Sequence, residues 1–190
     1  MSYSKKYIYK VVPKESFKVI HTCPKCKEKS LFINTGCFRV NANGNKLDVW
    51  LIYQCEKCKH TKNLTIYERK HPAQLSKEEY ERFLSNDTEL AEEYGRNKNF
   101  FQRNKSVVAW EQVAYEYMDN AGKPIGETGI VYKPGDCIYI EDIYHLNLHS
   151  QRLVADVLQC SRSKAKKMIL DGSVVLNRQE MGWELYIKLV

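Results

Sequence analysis

The sequence lacks a long apolar run, which argues against a membrane-spanning helix. No stretch approaches the roughly 20 consecutive apolar residues that cross a bilayer. The N-terminal residues, MSYSKKYIYKVVPKES, contain no apolar core of the signal-peptide type. With 43% hydrophobic and 12% aromatic residues, the chain can still form a folded core. We therefore expect a globular, cytoplasmic protein with no membrane partner.

The short motifs of common catalytic sites are also missing. The sequence has no P-loop, no Gly-x-Gly-x-x-Gly and no Gly-x-Ser-x-Gly. Cys37 stands close to Arg39, whose cation could lower the pKa of a thiol, but a buried strand cysteine is the more ordinary interpretation. His145 and His149 could contact RNA or assist proton transfer, but plain packing or a surface position is the more ordinary interpretation. Because no nucleophile, base and orienting group can be assembled, the sequence predicts no catalytic site, and the enzyme question stays open.

The charge of the chain is +7, and it is spread unevenly. Residues 1–69 hold 14 Lys/Arg against 5 Asp/Glu, residues 70–145 hold 9 against 14, and residues 146–190 hold 7 against 4. Two basic ends favour a polyanionic partner, because contact with phosphates releases condensed counterions. Many folded proteins carry a similar net charge, so charge alone does not decide the partner.

Four of the seven cysteines are paired by their spacing. Cys23 and Cys26 form one Cys-x-x-Cys motif, and Cys55 and Cys58 form a second after a gap of 28 residues. Two such turns supply the four sulfurs of a tetrahedral, structural zinc site. Dithiol redox chemistry is a weaker alternative, because no βαβ pattern surrounds Cys23, and merely buried thiols would not explain the double spacing. We predict one structural Zn²⁺ per chain at these four cysteines.

Residues 30–69 alternate in the manner of β-strands. SLFINTG and the run CFRVNANGNKLDVWLIYQC place apolar residues at every second position, with an Asn/Gly-rich loop at residues 41–45. KNLTIYER supplies a further strand. The hairpin would return the second Cys-x-x-Cys motif beside the first. Metal ligation would then stabilise a small antiparallel sheet of the zinc-ribbon type.

The middle of the chain has helix signals and an acidic surface. Ser76, followed by Glu79, fits a capping box before KEEYERFL, and Asp87 can cap TELAEEYG. Residues 107–118 fit either a helix or a strand. Residues 120–129 hold three glycines and a proline, which indicates a turn or linker.

The C-terminal part predicts two helices and a strand. The strand CIYIEDI precedes an apolar-faced helix over residues 151–159. Ser161 then caps a second helix that ends at Gly172 and leads into a strand over residues 173–177. No Asp or Glu lies between Arg162 and Lys167 in this second helix. Uncompensated charge of one sign destabilises a helix slightly, so it calls for an anionic partner. The candidate phosphate contacts are Arg152, Arg162, Lys164, Lys166, Lys167 and Arg178.

The order of these residues resembles the S4-type (alpha-L) RNA-binding domain. The resemblance rests on Arg152-Leu153, on Ser161-Arg162-Ser163-x-Ala165-Lys166-Lys167-x-Ile169, and on Gly172-x-Val174-x-x-Asn177. It covers about 30 residues and departs at Val154, where that domain has an acidic residue, and at Arg178, where it has a glycine. The resemblance implies that both helices and the following strand dock structured RNA through basic residues.

A second resemblance covers nearly the whole chain. Residues 38–44, FRVNANG, and residues 47–53, LDVWLIY, before Cys55 resemble a bacterial family filed as domain of unknown function 1062. That resemblance implies a bacterial, soluble protein with a zinc ribbon and an RNA-binding fold. It brings no established activity.

Together these observations predict an α+β protein in three segments. They are a zinc-ribbon-like domain with an antiparallel sheet over residues 1–70, an acidic, partly helical connector over 71–130, and an S4-like helix-turn-helix-strand unit over 131–190. We expect it to bind tRNA, rRNA or the ribosome through the basic C-terminal surface, without reading DNA sequence. The alternative is a non-catalytic protein-interaction module with a degenerate S4-like unit. A thiol-dependent or RNA-modifying enzyme is less favoured.

Overall fold

A computed structural model describes residues 5–146 and 148–188 as a mixed α+β protein. Its described part contains two five-stranded sheets and five α-helices. The strands are β1 (Lys6–Pro13), β2 (Val19–Cys23), β3 (Glu28–Asn43), β4 (Lys46–Cys55), β5 (Thr61–Lys70), β6 (Val107–Val108), β7 (Tyr115–Met118), β8 (Cys137–Glu141), β9 (Val174–Gln179) and β10 (Gly182–Ile187). The helices are α1 (Lys77–Leu84), α2 (Thr88–Gly95), α3 (Lys98–Arg103), α4 (Ser150–Val157) and α5 (Arg162–Leu170).

The chain divides into two compact units, which are described separately. The central unit is Glu15–Ala114, and the terminal unit combines Met1–Lys14 with Tyr115–Val190. This division cuts across the three segments that the sequence analysis proposed. The physical reason is long-range pairing: β1 lies beside β8, and the helical residues after position 71 belong with the central sheet. Local sequence patterns do not reveal either association.

The central sheet is antiparallel and has the strand order β5-β4-β3-β2-β6. Strand β4 alternates strictly, and its odd-numbered residues, from Leu47 to Cys55, are buried. The predicted hairpin is therefore confirmed. The two predicted strands before it form one strand, β3, with a register shift between Asn34 and Phe38. Gly36 allows this irregularity because it adopts a positive φ of 73°.

Aromatic side chains pack the helices onto the inner face of the central sheet. The ring of Phe83 in α1 lies 5.0 Å from that of Phe38, and Phe101 in α3 lies 6.0 Å from Tyr53. Both predicted helix caps are present. The hydroxyl of Ser76 accepts from the Glu79 amide at 3.1 Å, and the Asp87 carboxylate accepts from the Leu90 amide at 2.8 Å.

The side chains of three asparagines connect these helical segments to the sheet by hydrogen bonds to backbone groups. Asn34 Nδ2 donates to the Ala91 carbonyl at 2.8 Å. Asn86 accepts from the Phe38 amide at 2.6 Å. Asn104 accepts from the Thr65 amide at 2.6 Å and donates to the Thr65 carbonyl at 3.0 Å. The Asn104 side chain thus satisfies the N–H and C=O groups of Thr65 in the edge strand β5, as a neighbouring strand would. These two bonds fix the position of the chain at the end of α3.

Residues 107–118, which fitted either a helix or a strand in sequence, are neither one helix nor one strand. They form β6, a single turn of 3-10 helix at Trp110–Gln112, and β7. Strand β6 extends the central sheet beside β2, whereas β7 pairs with β1 in the terminal unit. The sequence pattern of residues 107–118 is therefore mixed because the chain passes from the central unit to the terminal unit within them.

The terminal sheet has the order β7-β1-β8-β10-β9, in which only β1 and β8 are parallel. Leu153 and Val157 of α4 and Ala165 of α5 are completely buried in this unit. Asp136 is also buried, and its carboxylate accepts from the Lys5 amide at 3.0 Å and the Lys133 amide at 2.8 Å. This carboxylate joins the turn at residues 133–136 to the start of β1. No helix in the described residues is long and apolar enough to cross a membrane.

Gly95 provides a test of the packing of the central unit. A Cβ at this position would lie 2.6 Å from the Ser16 Cβ and 2.8 Å from the Asn34 amide nitrogen. We expect Gly95→Ala to lower the free energy of unfolding by about 1–3 kcal/mol, because a tightly packed contact must shift. Urea unfolding measures the change. Gly126→Ala is the matched control, since its Cβ would lie an ordinary 3.5 Å from Gln159. Equal losses in the two variants would contradict the packing.

Candidate metal centre and basic surface

Two turns of the same geometry carry the paired cysteines. In the first, between β2 and β3, the Lys27 amide donates to the Cys23 carbonyl at 2.8 Å. In the second, between β4 and β5, the Lys59 amide donates to the Cys55 carbonyl at 3.0 Å. Both lysines adopt a positive φ, 58° and 61°. Each turn therefore presents two sulfurs on one side through the same backbone conformation.

The four cysteine sulfurs converge on one point. All four Sγ atoms, those of Cys23, Cys26, Cys55 and Cys58, lie within 4.8 Å of one another. The Cys23–Cys58 separation is 3.4 Å, and the Cys26–Cys55 separation is 4.0 Å. Cys23 and Cys55 are buried, whereas their partners in each turn are partly exposed. This cluster could hold a metal ion.

The β3–β4 hairpin brings the two turns together. Cys55 lies opposite Phe32 in the register of this pair. The Glu56 amide continues the association by donating to the Leu31 carbonyl at 2.9 Å. The backbone hydrogen bonds of the β3–β4 pair therefore bring together two turns that are separated by 28 residues in sequence.

The thiols of the cluster have opposite tendencies to ionise. The Cys58 amide donates toward the sulfur of Cys55 and lowers the pKa of that thiol to about 6. Hydrogen bonding to Cys58, together with burial, raises the pKa of Cys26 to about 12. Thiolates at such short separations repel, so their full ionisation needs a cation between them.

Lysines surround the cluster. Lys57 pairs with Glu28 at 2.6 Å, and Lys18 pairs with Glu56 at 2.9 Å. Further exposed lysines of the two turns make no ion pair with a described residue; they are Lys25, Lys27 and Lys59. This positive surface would offset part of the negative charge of the thiolates if the cluster held a metal ion.

The two histidines near the turns lie outside the sulfur cluster. His21 contacts the Ser106 hydroxyl through Nε2 at 3.0 Å, and burial lowers its pKa to about 4. The His21 ring is therefore neutral near pH 7, and its Nε2 is already hydrogen-bonded within the chain. His60 is exposed. Neither histidine joins the four sulfurs that lie together.

The structure corrects the interpretation of Cys37 as a buried residue. Cys37 lies in β3 but is exposed, because the irregularity at Gly36 turns it outward. His145 and His149 are exposed as well, so core packing does not explain them. None of these three residues belongs to the cluster of possible metal ligands.

The predicted helix-turn-helix-strand unit is present as α4, α5 and β9. The Ser161 hydroxyl accepts from the Lys164 amide at 3.2 Å and caps α5. Gly172 follows the helix with a φ of 79°, as a left-handed helix terminus requires. Arg178 lies within β9, which extends to Gln179, rather than after the strand. Val154 of α4 is fully buried, so an acidic residue at this position would lie in the core.

The six candidate RNA-binding cations fall into two groups. Four of them lie on α5, are exposed and make no ion pair with a described residue; they are Arg162, Lys164, Lys166 and Lys167. The other two are engaged within the chain. Arg152 pairs with Asp156 at 3.6 Å and lies 4.5 Å from the ring centre of Tyr115, and Arg178 lies 5.4 Å from that of Trp183.

The partners of the two engaged cations were not predicted from the sequence. Asp156 lies one helical turn after Arg152, so the spacing itself could have indicated the ion pair. Tyr115 is remote in sequence, and only the position of β7 in the sheet brings it beside α4. Burial raises the pKa of Asp156, while Arg152 and Arg162 oppose this shift.

Comparison with known proteins identifies a family. The model of the family described as "Protein of unknown function (DUF1062)" matches residues 40–180. The chain belongs to this family. The DUF1062 match begins inside β3, so it includes the second Cys-x-x-Cys turn and the basic helix but not Cys23 or Cys26. No curated protein and no solved structure matches the chain.

The cysteine cluster predicts a specific loss on substitution. Cys26→Ser removes one of four sulfurs at a partly exposed position, so we expect bound metal to be lost and the central unit to be destabilised. Elemental analysis and chemical unfolding measure the two effects. Cys37→Ser, at an exposed position outside the cluster, is the control and should retain metal. Unchanged metal content in Cys26→Ser would contradict a four-sulfur site.

Proposed function

We propose that this DUF1062 protein binds structured RNA through α5 and that a structural zinc ion holds its central unit. The RNA would be a tRNA, an rRNA or the ribosome. The part of the chain that would bind is an S4-like unit formed by α4, α5 and β9. The observation that carries the proposal is the set of four exposed cations on α5 without ion-pair partners in the described chain.

The placement of these cations suits a phosphate backbone. Ala165 is buried and fixes which side of α5 faces the core, so Arg162 and Lys166 are held outward one turn apart. Contacts of this kind position a protein on nucleic acid without reading bases. Double-stranded RNA is recognised mainly by shape and backbone, because its deep, narrow major groove is closed to side chains. Little sequence preference is expected.

The sulfur cluster fits zinc in its dimensions. Tetrahedral zinc–sulfur bonds of about 2.3 Å place neighbouring sulfurs roughly 3.8 Å apart. The observed separations of 3.4 Å and 4.0 Å lie on either side of that value. Cys23, Cys26, Cys55 and Cys58 would hold the ion, which would neutralise thiolate repulsion and join the two turns. Four protein ligands leave no open position for a substrate, so the proposed role is structural.

One observation favours the alternative of a protein-interaction module. Arg152 and Arg178 are engaged by side chains of their own unit, so their use in RNA binding would require them to exchange partners. The four cations on α5 could contact RNA without first giving up a partner within the chain. The α5 surface is therefore the part of the unit on which the RNA proposal depends.

Charge reversal on α5 tests the RNA proposal. We expect Arg162→Glu with Lys166→Glu to weaken binding of tRNA or an RNA hairpin several-fold, and affinity for the unsubstituted chain to fall steeply with salt. Filter binding or fluorescence anisotropy at several salt concentrations measures both.

The matched control reverses two exposed lysines elsewhere, Lys77→Glu with Lys123→Glu. It changes the net charge equally and should reduce affinity much less. Equal affinity in the α5 variant and the unsubstituted chain would reject the α5 surface as the RNA-binding site. Capture of an acidic protein instead of RNA would support the alternative.

Metal removal tests the zinc proposal. We expect about one zinc per chain by elemental analysis. Chelation should destabilise the central unit, because the metal would join the turn between β2 and β3 to the turn between β4 and β5. Near-ultraviolet circular dichroism, followed by restoration with zinc, measures the effect. A metal-free chain with an unchanged spectrum and stability would overturn the assignment.

A further inference from the structure

The outer face of the central sheet contains a cleft that the proposed function does not use. It has a volume of about 370 Å³ and lies over β4 and β5. Its lining residues are Asn43, Lys46, Asp48, Trp50, Thr65, Glu68 and Arg69. The volume lies at the lower end of the range typical of small-molecule sites.

An irregularity in the β4–β5 ladder produces this cleft. Leu47 pairs with Lys70 and Val49 pairs with Tyr67, so two residues of β5 lie opposite Asp48 alone. The Arg69 amide, displaced from the regular ladder, donates to Asp48 Oδ1 at 2.7 Å. Bulges of this type redirect side chains and occur often beside functional sites.

Trp50 forms the aromatic wall of the cleft. Its neighbours Val49 and Leu51 are completely buried, whereas Trp50 points to the opposite face and remains partly exposed. Its cross-strand partners in the register are Arg39 and Thr65. The core does not need an indole at this position, so its planar surface is available to a ligand.

The charges of the cleft are mixed and arranged around the indole. The Arg39 guanidinium lies 6.0 Å from the Trp50 ring centre, and Lys46 and Arg69 are exposed at the lining. Asp48 and Glu68 contribute carboxylate acceptors. A ligand that satisfies this set needs a flat ring, hydrogen-bond donors for the carboxylates, and an anionic group for the cations.

We propose that this cleft binds a nucleotide whose base stacks on Trp50 and whose phosphate contacts the lining cations Lys46 and Arg69. The base amino group or the ribose hydroxyls would donate to the carboxylates. A neutral sugar could also stack on an indole, but it would leave the two lining cations, Lys46 and Arg69, without an anionic partner. Base stacking on aromatic side chains tolerates sequence variation, because every base has a π-face. The nucleotide could be free or could belong to single-stranded RNA.

This inference goes beyond the α5 surface and does not depend on it. The cleft belongs to the central unit, whereas α5 belongs to the terminal unit. The cleft would accept an unstacked base, whereas α5 would contact a duplex backbone. The two sites therefore predict different preferred RNAs, so one can fail while the other stands.

Tryptophan fluorescence and anisotropy test the cleft on the full-length chain. We expect a labelled single-stranded octanucleotide to quench tryptophan emission in the unsubstituted chain and in Trp183→Phe, but not in Trp50→Phe. Trp50→Ala should weaken binding of the octanucleotide by roughly tenfold, as loss of one stacked base would, whereas Trp50→Phe should retain most of the affinity. Titration with AMP and UMP separates the two sources. Quenching by mononucleotides assigns a free nucleotide, and quenching by the octanucleotide alone assigns single-stranded RNA.

A charge variant keeps the test decisive if Trp50→Ala fails to fold. Lys46→Glu changes an exposed side chain at the hairpin tip and should weaken octanucleotide binding several-fold, with stronger loss at low salt. Lys77→Glu, an exposed lysine outside the cleft lining, is the matched control. Unchanged affinity in Lys46→Glu, with no quenching assigned to Trp50, would overturn the inference.

The α5 variant separates this inference from the proposed function. Octanucleotide quenching that persists in Arg162→Glu with Lys166→Glu supports the cleft, even if duplex binding is lost or never observed. Octanucleotide binding that disappears in the α5 variant but survives in Trp50→Ala would reject the cleft and leave the α5 proposal intact.

Discussion

The pairing of β3 with β4 is the interaction on which the central unit depends. Its register determines which face each side chain occupies, because a shift of one residue would exchange the two faces. The inner face packs against the aromatic residues of the helices. The outer face carries Trp50, and the end of the hairpin places Cys55 beside the first turn. The packing of the core, the outward position of Trp50 and the meeting of the four sulfurs thus all depend on one ladder.

Local signals in the sequence were sufficient for much of this arrangement. The alternation around the Asn/Gly loop predicted the hairpin, and the caps at Ser76, Asp87 and Ser161 predicted three helix starts that the structure confirms. The double Cys-x-x-Cys spacing predicted which four sulfurs would meet. These features succeed because each depends on residues that are close in sequence or on a single hairpin.

What could not be predicted depends on contacts between distant parts of the chain. The role of β1 was missed because the Lys5 amide and the Asp136 carboxylate are 131 residues apart. The exposure of Cys37 follows from an irregularity in β3, which alternation alone does not reveal. The cleft at Trp50 follows from an extra residue in β5, and the engagement of Arg152 follows from the position of Tyr115 on another strand. The buried face and the alternation of a strand can be inferred from the sequence. The positions of bulges and the order of strands are determined only in the assembled sheet.

The parallel pairing of β1 and β8 has a consequence for how the chain forms during synthesis. The central unit is one continuous segment, Glu15–Ala114, inserted between the first strand of the terminal unit and the rest of it. Strand β1 leaves the ribosome first, yet its neighbour β8 is made only after the whole insertion. We therefore expect the central unit to fold while β1 still lacks a partner, and the terminal sheet to close last, since domains tend to fold as units during synthesis. Until then the unpaired edges of β1 can pair with another chain. Rapid closure of the terminal sheet therefore limits misassembly.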